Sequence, residues 1–323
     1  LNIVSQLSQN FLPVESVSAA AGAKTGYLHP LYVESLAEFG EPRGLLCSGG
    51  WILQRQTPAL ELHDAMGCYP LFCCQDWRPL AEDLGQLNGS AVSVSLVADP
   101  FGDYTQELLR SCFDIVLPYK QHFVADLNLP LEQFTSARHR KYARQALRKI
   151  SVEVCSDPVK HLDEWVRFYD HMIERHQITG MRRFSRESFA KQLSVPGLVM
   201  FRATEGGEPL SLDLWYVQGE VAQAHLVGAS PRGYELHASY GLKLFILQYF
   251  TGKVRWVNLG AAPGLNAQTD NGLACFKRGW SSETRTVYFC GKILNPLAYQ
   301  ELVRATRSEG TEFFPAYRKG EFS

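Results

Sequence analysis

Apolar positions alternate over some short stretches of the chain and recur every three or four residues over others, so the period separates strands from helices. "AVSVSLVA" (91–98) alternates almost throughout, and "YPLFCC" (69–74) is a compact apolar run; both are predicted as strands. "DPFGDY" (99–104) joins Asp-Pro to Gly, the chemistry of a turn. It leads into a predicted helix at "TQELLRSCF" (105–113) and a strand within "DIVLPYKQHFVADL" (114–127). The first 130 residues therefore read as mixed α/β.

The pattern changes at "ARHRKYARQALRKI" (137–150). At about 100° per residue, Tyr142, Ala143, Ala146, Leu147 and Ile150 share one face of a helix, and Arg138, Arg140, Lys141, Arg144, Arg148 and Lys149 occupy the other. No carboxylate lies inside the segment to pair with these cations. The basic face is either a solvated surface or a clamp for phosphates. A second helix is predicted at "KHLDEWVRFYDHMIERH" (160–176), whose apolar positions recur at core spacing. Its His171 and His176 are five apart, not the i,i+4 spacing that brings two metal ligands to one face. Three strand-like runs follow, "GLVMFRAT", "EPLSLDLWYV" and "VAQAHLVGAS", separated by "EGG" and "QGE", turns short enough for antiparallel neighbours. A helix is predicted near 236–250, a strand at "VRWVNLG" (254–260), a short helix before Lys277, and a last strand at "TRTVYFCGKI" (284–293).

Composition narrows the function classes. Hydrophobic residues make up 46% and charged residues 20%, which fits a globular chain of 323 residues with a sizeable core and room for two domains. With 32 Lys and Arg against 33 Asp and Glu, no whole-molecule field selects nucleic acid or an anionic membrane, so any basic site is local. The eight cysteines lack the spacing of zinc ligands and sit mostly among apolar residues, as free thiols in a reducing compartment do. No run of 18 apolar residues marks a membrane span, and a cytoplasmic protein with no metal is the expectation.

The element order after residue 160 is that of the GNAT acyltransferase fold, in which the fourth and fifth strands splay and an acyl donor threads between them. "NLGAAPGLNAQTDNGLACFKRGW" (258–280) resembles the C-terminal signature of the FemABX-type acyltransferases, a Gly-rich loop after a strand leading to Phe-Lys and a Gly-aromatic ending. "HRKYARQALRKI" resembles the basic helix that opens their second domain, and "AHLVGASPRGYELHASYGLK" (224–243) the strand, loop and helix that hold the donor. The resemblance covers about residues 137–290. It implies an α+β chain of two tandem GNAT-like domains with mixed, mostly antiparallel sheets: a divergent one over 1–130 and an acyltransferase domain over 131–323. It also implies an N-acyltransferase of cell-envelope or polysaccharide metabolism. The donor would be acyl-CoA, with aminoacyl-tRNA as the alternative, and the acceptor an amine of a small molecule, sugar or peptide precursor. The long coiled-coil arm of some tRNA-using relatives has no counterpart here. A noncatalytic module of the same fold, holding a nucleotide-sugar or RNA on the basic helix, is the competing class.

The resemblance assigns Lys277 to the carbonyl oxyanion and the Phe276 carbonyl to the attacking amine. A base is sought from the strands themselves. With a three-residue turn at Gln218–Glu220, Asp213 falls opposite His225, a pair suited to proton transfer, or else two polar residues on a wet face. Arg138, Arg140, Lys141 and Arg144, with Arg182 and Arg183, are the candidates for phosphates. Arg232 in "SPRGYELHASYG" (230–241) is a further one, and Tyr240 is placed either against the acyl carbonyl or in core packing.

Overall fold

The computed structural model describes residues 23–176, 183–262 and 272–321. Its strands are β1 (Glu41–Gly44), β2 (Trp51–Gln56), β3 (His63–Gly67), β4 (Ser93–Val97), β5 (Ile115–Asp126), β6 (Ser151–Val154), β7 (Leu198–Glu205), β8 (Glu208–Gln218), β9 (Val221–Ala229), β10 (Trp256–Ala261) and β11 (Glu283–Ile293). They form one mixed sheet in the order β1-β2-β3-β4-β11-β5-β10-β9-β8-β7-β6. That order contains the same motif twice. The antiparallel run β1-β2-β3 meets β4 in parallel, as β7-β8-β9 meets β10 in parallel. The next strand is exchanged between the halves, so β11 lies beside β4 and β5 beside β10. The tandem α+β arrangement expected from the sequence is therefore present.

The helices are α1 (Pro30–Glu34), α2 (Leu80–Gln86), α3 (Gln106–Cys112), α4 (Leu131–Phe134), α5 (Ala137–Ala146), α6 (Leu162–His176), α7 (Arg186–Gln192), α8 (Pro231–Glu235), α9 (Ala238–Phe250), α10 (Gly272–Arg278) and α11 (Pro296–Ala305). In the second half, α5, α9 and α10 cover one face of the sheet. Ala143, Ala146, Leu242, Ile246 and Ala274 bury there against Phe201, Trp215 and Val257. The other face carries α1, α6 and α7, where Trp165, Tyr169 and Phe189 pack on Leu212, Leu214 and Tyr216. Alternate residues of β8 thus enter two different cores, which is the period-2 rule at work.

Three expectations need correction. "YPLFCC" is not a strand: only Phe72 bridges to Ala98, because Pro70 offers no N–H and ladder pairing does not develop around it. The basic helix stops at Ala146, four residues early. The β8–β9 turn holds two residues, with Gly219 at φ 55°, so Gln218 pairs with Val221. A bulge at His225 then shifts the ladder again, and Asp213 pairs with Val227.

The parallel contact between β9 and β10 is brief. It runs from Val221 and Trp256 to Gln223 and Asn258, and β9 then continues to Ala229 with no further pairing to β10. In the first half the chain after β3 stays beside β4 through the Phe72–Ala98 bridge. The gap between parallel strands therefore belongs to the second half.

Candidate active site

Lys277 stands at this gap. It is the next-to-last residue of α10, and its Nζ donates a 2.7 Å hydrogen bond to the carbonyl of Ala261, the last residue of β10. Burial, reinforced by the nearby Lys243 cation, brings its pKa down to about 7, with Asp213 opposing the shift. A lysine in this state exchanges its proton near neutral pH.

A line of buried polar side chains crosses the sheet beneath it. His122 Nδ1 lies 3.1 Å from Asn258 Oδ1, and Asn258 Nδ2 donates to Gln223 Oε1 at 2.6 Å. Gln223 Nε2 donates in turn to Asp99 Oδ1 at 3.2 Å, and the Cys73 thiol donates to Asp99 Oδ2 at 3.3 Å. Asn258 and Gln223 are each only 2% exposed, so leaving either amide unpaired would be costly. Burial raises the Asp99 pKa. His122 goes the other way: burial and then the Lys277 charge lower its pKa to about 3, so its ring stays neutral.

The expected Asp213–His225 pair does not exist. With the register moved, the two side chains lie on opposite faces of β8 and β9. Asp213 forms a buried ion pair with Lys243 at 2.9 Å, and the Lys243 ammonium sits 4.7 Å above the Trp215 ring. His225 is enclosed by Tyr27, Tyr32 and Tyr216. Its Nδ1 lies 3.2 Å from the Tyr27 hydroxyl and its Nε2 3.0 Å from Gln192 Oε1. An amide oxygen can only accept, so Nε2 carries the proton and Nδ1 accepts from Tyr27. Burial lowers the His225 pKa to about 3, which removes it as a base near neutrality.

The phosphate candidates separate in the same way. Arg138, Lys141 and Arg144 are exposed on α5, with the Arg138 guanidinium 5.5 Å from the Tyr142 ring centre. Arg140 instead turns inward to the Thr135 carbonyl and to Thr135 Oγ1 at 2.9 Å, tying α5 to the end of α4. Arg232 is engaged by Glu205 at 2.8 Å and Glu235 at 3.0 Å. Arg183 is exposed next to Phe184, whose ring enters the core on the face away from α5. Arg182 lies outside the described residues. Among the described residues, no cluster of His, Cys, Asp and Glu has the makings of a metal site.

Phe276 and Tyr240 meet edge to face at 4.9 Å. His139 fits between them and Trp280, and Tyr142 and His237 extend the aromatic row outward. Tyr240 is thus partly a packing residue, as one of its two expected roles has it. The row depends on a glycine. A Cβ at Gly279 would stand 2.4 Å from two His139 ring atoms, closer than any real contact. Gly279→Ala is expected to push that ring aside at about 1–3 kcal/mol, read as a lowered denaturation midpoint. An unchanged midpoint would mean that the ring is not confined.

Sequence reasoning missed His122, Gln223, Asp99 and Lys243, and placed Asn258 near the donor without giving it a role. The available signal was polar side chains inside apolar strands: Asn in "VRWVNLG" and Gln in "VAQAHLVG".

Neither a family model nor a curated protein matches the chain by sequence. Solved structures do match it. FemX superposes with a TM-score of 0.64 at 13% identity, over 87% of this chain and 95% of that one. A DUF2156 domain from Agrobacterium fabrum gives 0.61 at 15% identity, over 90% and 94%. L-PGS from Bacillus licheniformis gives 0.58 at 14%, over 88% and 98%. At such identities the likeness is one of fold, and on that ground the chain has a FemABX-like GNAT fold.

Proposed function

We propose that this chain transfers an acyl or aminoacyl group from an activated donor to the nitrogen of an amine, at the gap between β9 and β10. The observation that carries the reading is Lys277, whose Nζ is held 2.7 Å from the Ala261 carbonyl where the two strands part. When the amine nitrogen bonds to the acyl carbon, an electron pair moves onto the carbonyl oxygen. That pair returns as the bond to the carrier breaks, and the amine proton leaves with the carrier's sulfur or oxygen. The Lys277 ammonium stabilises a negative charge that exists only between those two events. The developing charge itself favours the protonated lysine, so a pKa near 7 is compatible with the role. The Phe276 carbonyl, one residue earlier, is the proposed contact for the attacking amine.

Arg138 stands beside the half-exposed ring of Tyr142, which meets Tyr240 and the exposed His237, and Lys141 and Arg144 add exposed cations on the same helix. Cations next to stacking rings fit a ligand made of phosphates and a base, which acyl-CoA and aminoacyl-tRNA both carry. Titration with CoA and with tRNA, between about 50 and 200 mM salt, distinguishes them by the slope of affinity against salt. Reversing the charges at Lys141 and Arg144 together is expected to weaken binding at least tenfold. Arg232→Ala, already engaged by two carboxylates, is expected to leave it unchanged. Indifference to the charge reversal would remove the basic face from the site. Binding without N-acyl product, sought by mass spectrometry over a panel of amines, would favour a noncatalytic module.

A further inference from the structure

We infer that Asn258 is a positioning residue for this reaction: one side-chain amide fixes both the backbone turn that holds Lys277 and the tautomer of His122. The inference rests on reading Lys277 as the reactive lysine. Asn258 Oδ1 accepts the N–H of Gly260 at 2.9 Å, two residues ahead on the same strand. Between Asn258 and Ala261, β10 carries one residue more than β5 does: Asn258 pairs with Val124, but Ala261 pairs with His122. That bulge is closed by Gly260 at φ 74°, a left-handed conformation that glycine adopts without a steric penalty. The turn it makes brings the Ala261 carbonyl onto Lys277 Nζ at 2.7 Å. A Cβ at Gly260 would lie 3.4 Å from that same Nζ, so the turn and the lysine are in direct contact.

The second consequence follows from the direction of the hydrogen bonds. Asn258 Oδ1 is identified as the oxygen because a backbone N–H points at it, and its Nδ2 is identified as the donor because Gln223 Oε1 lies 2.6 Å away. Gln223 is fixed in turn by Asp99, which accepts from its Nε2 at 3.2 Å. An oxygen at Asn258 Oδ1 obliges His122 Nδ1 to donate across the 3.1 Å contact, which leaves His122 Nε2 without a proton. His122 is the cross-strand partner of Ala261. One amide thus holds the turn that engages Lys277 Nζ and leaves His122 Nε2 unprotonated on the neighbouring strand β5. Lys277 Nζ is the donor that the acyl carbonyl of the proposed reaction needs. None of this uses a dedicated base; it orients the groups already present.

The test uses the full chain without donor or acceptor, so its failure is separate from any failure of the transfer reading. Lysine Nζ and histidine ring nitrogens are followed by nitrogen NMR against pH, with Lys277→Met and His122→Gln spectra identifying the two signals. In the wild type, Lys277 is expected to titrate near 7 and His122 to show a single tautomer protonated at Nδ1. In Asn258→Leu, the Lys277 midpoint is expected to rise by at least one pH unit as Nζ, released from the Ala261 carbonyl, reaches solvent and loses the burial that depresses it, and the His122 nitrogens to become mixed. Gly260→Ala strains the same turn while keeping Asn258. It is expected to move Lys277 and leave the His122 tautomer single, and it serves where Asn258→Leu does not fold. A Lys277 titration unchanged in either folded variant overturns the inference, as does a mixed His122 in the wild type.

Discussion

Lys277→Met is expected to lower turnover by about 10²–10³-fold, the usual effect of removing one group that stabilises an oxyanion, and at the same time to make the protein more stable. The two effects have one cause. The folded environment holds the Lys277 pKa at about 7 against an ordinary 10.5, mainly through burial. Each unit corresponds to about 1.4 kcal/mol, so a charged Lys277 costs the fold about 4–5 kcal/mol. Methionine removes that penalty but strands the Ala261 carbonyl, a loss of about 1–3 kcal/mol. A net gain of about 1–4 kcal/mol remains, measurable as a higher denaturation midpoint. The sign with pH is fixed as well. Below pH 7 both folded and unfolded chains carry the proton and the penalty is complete. Between about 7 and 10.5 the unfolded chain holds the proton more tightly, so this contribution to stability rises with pH and the advantage of the variant shrinks. A variant less stable than the wild type at pH 7 would mean that the lysine is anchored more than it is strained.

Acid should unfold the protein early, through two histidines. His122 and His225 both have pKa values near 3 in the fold, burial being the first cause for each, against about 6.5 in an unfolded chain. Above pH 6.5 both states are neutral and nothing is gained or lost. As pH falls from 6.5 toward 3, the unfolded chain takes up two protons that the folded chain refuses, and stability declines throughout that interval. The limit is as much as about 5 kcal/mol for each ring, together comparable to the 5–15 kcal/mol that holds an ordinary domain. Denaturant midpoints measured between pH 7 and 4 are expected to fall with a slope approaching two protons. His225→Phe should reduce that slope by one proton, at the expense of the Tyr27 and Gln192 hydrogen bonds. Midpoints level across that range would exclude neutral buried rings at both positions.

The second half of the fold was legible because its elements obey their periods. The meander, the amphipathic α6 and the basic face of α5 all follow from spacing alone, and the Phe-Lys pair lies on a short helix after a strand, as the family resemblance implied. What could not be read was register. A two-residue turn in place of three, followed by a bulge at His225, moved Asp213 to the opposite face and gave it Lys243 as a partner. A slip of one residue reverses every side chain, and neither a bulge nor the choice between two and three turn residues is written in apolar alternation. The partners of Arg232 and Arg140 could not be read for another reason. A basic residue announces its charge but not its partner: Glu205 is distant in the chain from Arg232, and the Thr135 carbonyl meets Arg140 only through the corner between α4 and α5. The exchange of β5 and β11 between the two halves is equally silent, because apolar alternation does not say which strand pairs with which.

The most direct test of acyl transfer at Lys277 is a crystal structure with a non-transferable donor analogue, an acyl-CoA thioether or an amide-linked aminoacyl-adenosine. The carbonyl oxygen, or the atom that replaces it, is expected between β9 and β10, about 3 Å from Lys277 Nζ. An analogue bound with its acyl group remote from Lys277, and the gap closed by side chains, would contradict the assignment of this site.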